Sequence, residues 1–326
     1  MTEEAGQTRR ILAIDIGGTH CRFAHFKLDA AGGLRLMAVS RVRTAAVDSQ
    51  DALLTALGQA TVGLPPERAD ALVFAVPGAV VDRRVRFANI DWDLDLDALD
   101  AALGAGRVFC LNDFTAQALG CRTEATAETV ELRPGELHSD LVQAVIGAGT
   151  GCGMAALVPL PDGGFLPLAS ESGQTAATFY DPVEQAFAQY LGRLTGEPYV
   201  RVDTVLSGSG LSRLHCFLTG EDLEPAAVSA RLTEHSRTAA LFARFYGRAV
   251  RDYALTVVAA GGVFLSGGVA AKNPLLVRHP EFTREFLESP TYGELLARIP
   301  VRLISHDHTG LFGAARYVAN HLTPLA

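Results

Sequence analysis

Six short runs of this 326-residue chain are apolar, rich in β-branched residues and free of polar alternation: Ile11–Ile16, Ala71–Val76, Val108–Leu111, Leu141–Ile146, Val263–Leu265 and Val301–Ile304. A strand with one wet face alternates. A strand without alternation is buried on both faces, so these runs call for sheets covered by helices. Helical spacing lies between them, at Asp51–Gln59, Asp181–Leu194, Ala226–Tyr253 and Pro280–Leu287. Strands interleaved with helices predict an α/β chain. The long uncharged run Tyr253–Ala271 is close to bilayer length, but four glycines, a serine and a threonine interrupt it. It reads as a helix end, a buried strand and a glycine turn rather than a membrane span.

One pattern occurs twice. ILAIDIGGTHCRFAHF (Ile11–Phe26) runs strand, glycine turn with Thr, strand, and LVQAVIGAGTGCGMAAL (Leu141–Leu157) repeats it. Two such hairpins predict two similar halves. The boundary is expected near Arg122, after a helix begun at Asp113, with a last helix near Leu311–His321 packing back on the first half. That gives a small α/β domain of 1–122 plus 307–326 and a large one of 123–306.

Each glycine turn has two readings. In AIDIGGTH, the N–H groups of Gly17, Gly18 and Thr19 form a phosphate cradle, with Asp15 holding Mg²⁺ through water, or the segment is a tight hairpin turn and Asp15 only caps it. GAGTGCG (Gly147, Gly149, Thr150 and Gly151) is a second candidate phosphate loop. LSGGVAAKNP, with Gly267 and Gly268, is a third turn where a nucleotide base or ribose would rest. No GxxxxGK[ST] occurs, which excludes a P-loop enzyme. Asp113, in FCLNDFTAQALGC, stands where an apolar strand turns into a helix. It is either a helix N-cap or a carboxylate held at the carboxyl end of a sheet strand, where open α/β sheets bind ligands.

Composition narrows the partners. Against 28 Lys plus Arg stand 36 Asp plus Glu, a net charge of −8 with no clustered basic face, which argues against nucleic acid or an anionic membrane. Five cysteines, an odd number without CxxC spacing, read as reduced thiols of a cytoplasmic protein, not as disulfides or a zinc site. The start MTEEAGQTRR lacks the apolar stretch of a signal peptide.

The segments AIDIGGTHCRF, VPGAVVDRRVRFANIDW, LNDFTAQAL, VIGAGTGCG, LASESGQ, VLSGSGL, GGVFLSGGV and HDHTGLFGAA span nearly the whole chain. Through them it resembles the bacterial glucokinase family, within the larger sugar kinase, actin and Hsp70-like ATPase fold. DxGGT and GAGTG are shared widely in that fold; LNDFTAQAL and VLSGSGL are specific to the glucokinase branch. The resemblance implies a two-domain ribonuclease H-like (actin-like ATPase) fold with a cleft between a smaller and a larger domain. It implies ATP and Mg²⁺ as cofactors, a homodimer, and phosphorylation of a hexose, glucose foremost. The rivals are a kinase for another hexose and a non-catalytic sugar or nucleotide sensor. By the same resemblance Asp113 is the general base and Asn112 a sugar contact.

The chain departs from the family pattern in its sugar pocket. The family's Glu-x-Gly-His becomes Glu171-Ser172-Gly173-Gln174, and a family Glu four residues before the Ser of LSG becomes Asp203. Glu171, Gln174 and Asp203 remain the implied sugar ligands, with altered reach and donor pattern. Trp92 reads as packing and Asn89 as a weaker sugar contact. The acidic run Asp91–Asp100 reads as a solvated edge, and His306 with His308 as a solvated loop.

Overall fold

The structure, a computed structural model, describes residues 8–60, 62–81, 83–87, 91–104, 107–124, 129–161 and 163–322. It divides into two compact units, Met1–Ala127 with His306–Ala326, and Glu128–Ser305.

In the first unit, the apolar run that opens the chain is β1 (Arg9–Ile16), buried on both faces from Ile11 onward. It pairs antiparallel with β2 (His20–Leu28), which pairs with β3 (Leu34–Arg43). On its other side lie β4 (Ala71–Val76) and β7 (Val108–Asn112), both parallel to it, so the sheet order is β3-β2-β1-β4-β7. Leu12, Ile14, Phe23 and Phe74 meet Leu53 and Leu57 of α1 (Gln50–Gln59) in one core. The opposite side is covered by α13 (Thr309–Leu322), whose Phe312 meets Phe26 edge-on at 5.0 Å. α13 crosses α3 (Asp113–Gly120) closely, because a Cβ on Gly313 would lie 1.8 Å from the Ala116 carbonyl oxygen.

The acidic run is a solvated edge at Asp91, Asp93 and Asp97, and it is also ion-paired. β5 (Arg84–Arg86) pairs with β6 (Asp93–Asp95) ahead of α2 (Leu96–Leu103), and Asp93, Asp95, Asp97 and Asp100 form ion pairs with Arg86, Arg84 and Arg83. Trp92 does pack: it donates to the Val47 carbonyl at 3.0 Å and meets Phe87 edge-on. His306 and His308 lie in the expected loop, ahead of α13, but are only partly solvated. They contact each other, His306 meets Phe312, and both are half-buried. Asn89 lies outside the described residues.

The second unit repeats the plan. β9 (Gln143–Ala148) pairs antiparallel with β10 (Cys152–Pro159), which pairs with β11 (Phe165–Ser170). β12 (Gly262–Ser266) and β13 (Val301–Ile304) follow in parallel, and β8 (Thr129–Arg133) closes the edge antiparallel. The order β11-β10-β9-β12-β13 therefore matches that of the first sheet strand for strand, as the doubled hairpin pattern predicts.

The helices of this unit are α4 (Pro182–Thr195), α5 (Val202–Val205), α6 (Gly208–Thr219), α7 (Pro225–Arg231), α8 (Arg237–Val257), α9 (Gly268–Lys272), α10 (Pro274–Arg278), α11 (Pro280–Leu287) and α12 (Gly293–Arg298). The expected helix Ala226–Tyr253 is thus two. The break falls where Ser236 Oγ accepts the Thr233 N–H at 2.8 Å, a local bond that competes with helix. Arg248, buried in mid-α8, joins Glu184 of α4 at 2.8 Å and Glu285 of α11 at 3.1 Å. The uncharged run is the end of α8, then β12, then a turn at Gly267, and no helix among the described residues is long and apolar enough to cross a membrane.

Replacing Gly313 by Ala is expected to force α3 and α13 apart and cost about 1–3 kcal/mol. Around Gly58, in α1, nothing lies within 4 Å of the place a methyl group would take, so Gly58→Ala should leave stability equal or higher. Paired thermal melts test this; equal melting of Gly313→Ala and the parent would refute the close crossing.

Candidate functional site

The first unit gathers candidate residues at the carboxyl ends of its three parallel strands. Asp15 is the next-to-last residue of β1 and sits opposite Ala75 of β4, while Asn112 ends β7 opposite Val76. Strands lie about 4.8 Å apart, which sets the ends of β1 and β7 about 10 Å apart across β4. Asp15 is buried and pairs with Arg22 at 3.1 Å across the hairpin. Burial pushes its carboxyl above the ordinary range, and the Arg22 charge opposes that.

The Gly17–Thr19 turn is narrower as a cradle than its sequence suggests. The Gly17 N–H donates to the His20 carbonyl at 3.0 Å, which leaves Gly18 and Thr19 as the exposed tip. Thr44 staples the turn, its hydroxyl donating to the Gly17 carbonyl at 2.6 Å.

The Asn-Asp pair resolves differently from a simple Asp cap. Asn112 is the N-cap of α3: its Oδ1 accepts the N–H groups of Phe114 and Thr115 at 2.9 and 3.0 Å, and its Nδ2 donates to the Gly78 carbonyl at 3.1 Å. Asp113 is the first helical residue, and its Oδ1 shares the Phe114 N–H at 2.9 Å. The Asn oxygen reaches both orphan N–H groups without charge, so the cap does not depend on Asp113.

In the second unit one turn draws in all the candidates. The β9–β10 turn holds Gly149, Thr150 and Gly151, and the Gly149 N–H donates to the Gly151 carbonyl at 2.7 Å. A Cβ on Gly267 would lie 2.4 Å from the Ala148 carbonyl oxygen, and its φ is +88°, so only glycine fits there. Gly147 is paired with Ser266 across the sheet, and Gly268 stands exposed at the start of α9. The N–H of Gly208, which opens α6, donates to the Gly149 carbonyl at 2.8 Å.

The implied sugar ligands attach to the same turn. Asp203 Oδ1 accepts the Cys152 N–H, and Gly173 lies so close to the Cys152 carbonyl that a Cβ there would be 1.9 Å from its oxygen. Gln174 Oε1 accepts from Arg201 at 2.6 Å, and Arg201 lies 3.8 Å from Asp203 Oδ2. Desolvation, and then the Asp203 charge, push the Glu171 carboxyl above its usual range. Desolvation also raises Asp203, against its Cys152 hydrogen bond and Arg201.

Three residues of this arrangement escaped the sequence reading: Arg22, Arg201 and Thr44. Arg22 was within reach, because a short turn after Ile16 places it opposite Asp15. The other two meet their partners across intervening strands (Thr44 and Gly17) or a whole helix (Arg201 and Gln174) and leave no local pattern. All five cysteines are free, and no group of three His, Cys, Asp or Glu among the described residues is arranged to hold a metal ion.

A family model described as glucokinase matches residues 12–321. The chain is 33% identical to a glucokinase of Chromobacterium violaceum, over 95% of this chain and 89% of that one. A solved glucokinase from an Antarctic psychrotroph superposes with a TM-score of 0.79 at 26% identity, over 96% of this chain and 100% of that one. A ROK family glucokinase from Streptomyces griseus, solved in complex with glucose and AMPPNP, gives a TM-score of 0.65 at 21% identity, over 94% and 98% of the two chains. The α/β chain with its repeated sheet order has the actin-like ATPase fold.

Asn112→Ala removes the α3 cap and should cost about 1–2 kcal/mol. Asn112→Asp keeps a capping oxygen and should recover most of that loss. Urea unfolding of both variants distinguishes them, and an unchanged midpoint for Asn112→Ala would dismiss the cap.

Proposed function

This chain belongs to the glucokinase family, and from that premise we propose that it is an ATP-dependent hexose kinase, with glucose as its foremost acceptor and glucose 6-phosphate and ADP as products. The observation that carries the reading is the division of labour in the Asn-Asp pair. Asn112 caps α3 with its own oxygen, and the Asp113 carboxylate at the first position of that helix is assigned to the chemistry. The Streptomyces griseus relative, in complex with glucose and AMPPNP, supports the same pair of ligands here.

Asp113 is the general base. It takes the proton of the sugar hydroxyl as that oxygen attacks the γ-phosphorus, a new O–P bond forms, the bond to the β-phosphate oxygen breaks, and ADP leaves. Asn112 orients Asp113 through the cap and has one amide N–H left for the sugar. Glu171, Gln174 and Asp203 are assigned to the sugar.

Phosphate oxygens are received by the exposed tips, Gly18 with Thr19 and Thr150 with Gly151, while Gly147, Gly149 and Gly17 shape those turns. Gly267 and Gly268 line the nucleotide. Asp15 fits Mg²⁺ bound through water, since magnesium takes one or two carboxylates, keeps several waters and completes its shell with phosphate. When bound, the ion neutralises charge on the phosphate oxygens. The family resemblance supports a homodimer, tested by sedimentation, and the reduced cysteines support a cytoplasmic setting.

Arg201 engages both Gln174 and Asp203, which favours a second reading in which another hexose is preferred over glucose. A hexose panel decides between the two.

Asp113→Asn is expected to lower kcat about 10²–10⁴-fold with sugar binding retained. ADP release from MgATP, with and without hexose, is the assay; sugar-stimulated release that survives in the variant would remove Asp113 from the role. Glu171 accepts sugar hydroxyls most strongly as a carboxylate, and its folded-state value is raised. The KM for sugar should therefore climb as pH falls through a window above the ordinary Glu range. Glu171→Gln should show a higher KM with that acid limb flattened.

A further inference from the structure

Arg201 has no part in the phosphoryl transfer itself, yet each of its three guanidinium nitrogens has a hydrogen-bond partner. Two extended segments hold one another there: the Val202 N–H donates to the Thr175 carbonyl at 2.9 Å, and the Ala177 N–H donates to the Val200 carbonyl at 2.8 Å. The Tyr199 hydroxyl adds a bond to the Gln174 carbonyl at 3.2 Å. Glu197 grips one edge of the guanidinium, taking Nε at 3.1 Å and also Nη2, which fixes the plane. Nη1 is thereby aimed at Gln174 Oε1, 2.6 Å away, with Asp203 Oδ2 at 3.8 Å.

Arginine only donates, so it dictates which end of the Gln174 amide it meets. The carbonyl must face Arg201, and the NH₂ group must face away. Asp203 is committed as well, one oxygen to the Cys152 N–H and the other beside Arg201. Its reach is one methylene shorter than that of a Glu, which suits bracing the turn. Glu171 is then the remaining carboxylate of the cluster.

We propose that Arg201 is a positioning residue for sugar recognition. It locks the Gln174 amide so that its NH₂ is the group a sugar hydroxyl meets, and it holds Asp203 to the β9–β10 turn. Of the three groups assigned to the sugar in this unit, Gln174 thus presents a fixed amide donor and Glu171 a carboxylate acceptor, while Asp203 keeps only the oxygen beside Arg201 for a hydroxyl. The assignment rests on the kinase reading and deepens it. Arg201→Lys is not a neutral exchange here, because an ammonium cannot hold the Glu197 fork and Gln174 in one plane.

The test is a set of kcat and KM values for D-glucose and its monodeoxy analogues, with wild type, Arg201→Met, Gln174→Ala and the double variant. Arg201→Met is expected to raise the KM for glucose about tenfold with a kcat change within about threefold. Wild type should penalise the analogue lacking the hydroxyl that meets Gln174. Arg201→Met and Gln174→Ala should both lose that penalty, and the double variant should be no worse than either single one. Retained discrimination in Arg201→Met, or independent effects that multiply in the double variant, would overturn the proposal.

Circular dichroism melts check folding. Should Arg201→Met not fold, Arg201→Lys is read by the same criteria. Should wild type show no sugar-stimulated ADP release, the kinase reading falls, and the same sugars and variants are measured as binding by calorimetry. A wild type that binds none of the sugars overturns both readings.

Discussion

The backbone of Cys152 is the fastening point of the second unit. Its N–H is held by Asp203, its carbonyl is covered by Gly173, and the turn that precedes it receives Gly208 and abuts Gly267. At Gly173 and Gly267 the approach leaves no room for a Cβ, and Gly267 also requires a positive φ. Each such approach brings a loop from a distant part of the chain onto one hairpin. The result is that the candidate phosphate loop and the candidate sugar ligands of this unit share a single support, so the geometry of one fixes that of the other.

The sheets explain why the supports lie where they do. In both units an antiparallel hairpin opens the sheet and two parallel strands follow on its other side. Parallel strands all end at one edge, and helices start just beyond it. A helix start offers unpaired N–H groups, and the strand end delivers a side chain beside them. Asn112 and Asp113 occupy that position after β7, and Gly268 occupies it after β12. A sheet of this order therefore places cap chemistry and ligand chemistry on adjacent residues, which is why the two roles of the Asn-Asp pair were hard to separate from the sequence.

Much of the fold was legible because its signals are local. Ala71–Val76 and Val301–Ile304 are strands with the bounds their apolar runs suggest, and the doubled hairpin did correspond to a doubled sheet order. The break after α7 was not legible. Its sequence, LTEHS, has neither Gly nor Pro, and the apolar spacing continues across it. The acidic run was legible as a solvated edge but its pairing was not: Asp93, Asp95, Asp97 and Asp100 meet Arg86, Arg84 and Arg83, which lie on the preceding strand and its approach. In the site, glycine turns and the substitutions at Gln174 and Asp203 could be read directly, whereas Arg201 could not. A side-chain pair separated by a whole helix has no periodicity to betray it.

That separation changes how the altered pocket should be understood. Taken one at a time, Gln174 and Asp203 look like two weakened copies of family residues. Together with Arg201 and Glu197 they form one network, in which Gln174 Oε1, both Glu197 oxygens and Asp203 Oδ1 have donors and Asp203 Oδ2 lies 3.8 Å from the guanidinium. A neutral imidazole at position 174 could accept from Arg201 with one nitrogen, but a protonated one would face the guanidinium as a like charge. An amide has no charged form and keeps its two ends distinct at every pH. The Gln is thus the residue that suits an arginine neighbour, and the shorter Asp suits a carboxylate turned inward to brace a backbone N–H. On the proposed reading, restoring a single family residue breaks that consistency, because the physical unit of specificity is then the network and not any one of its members.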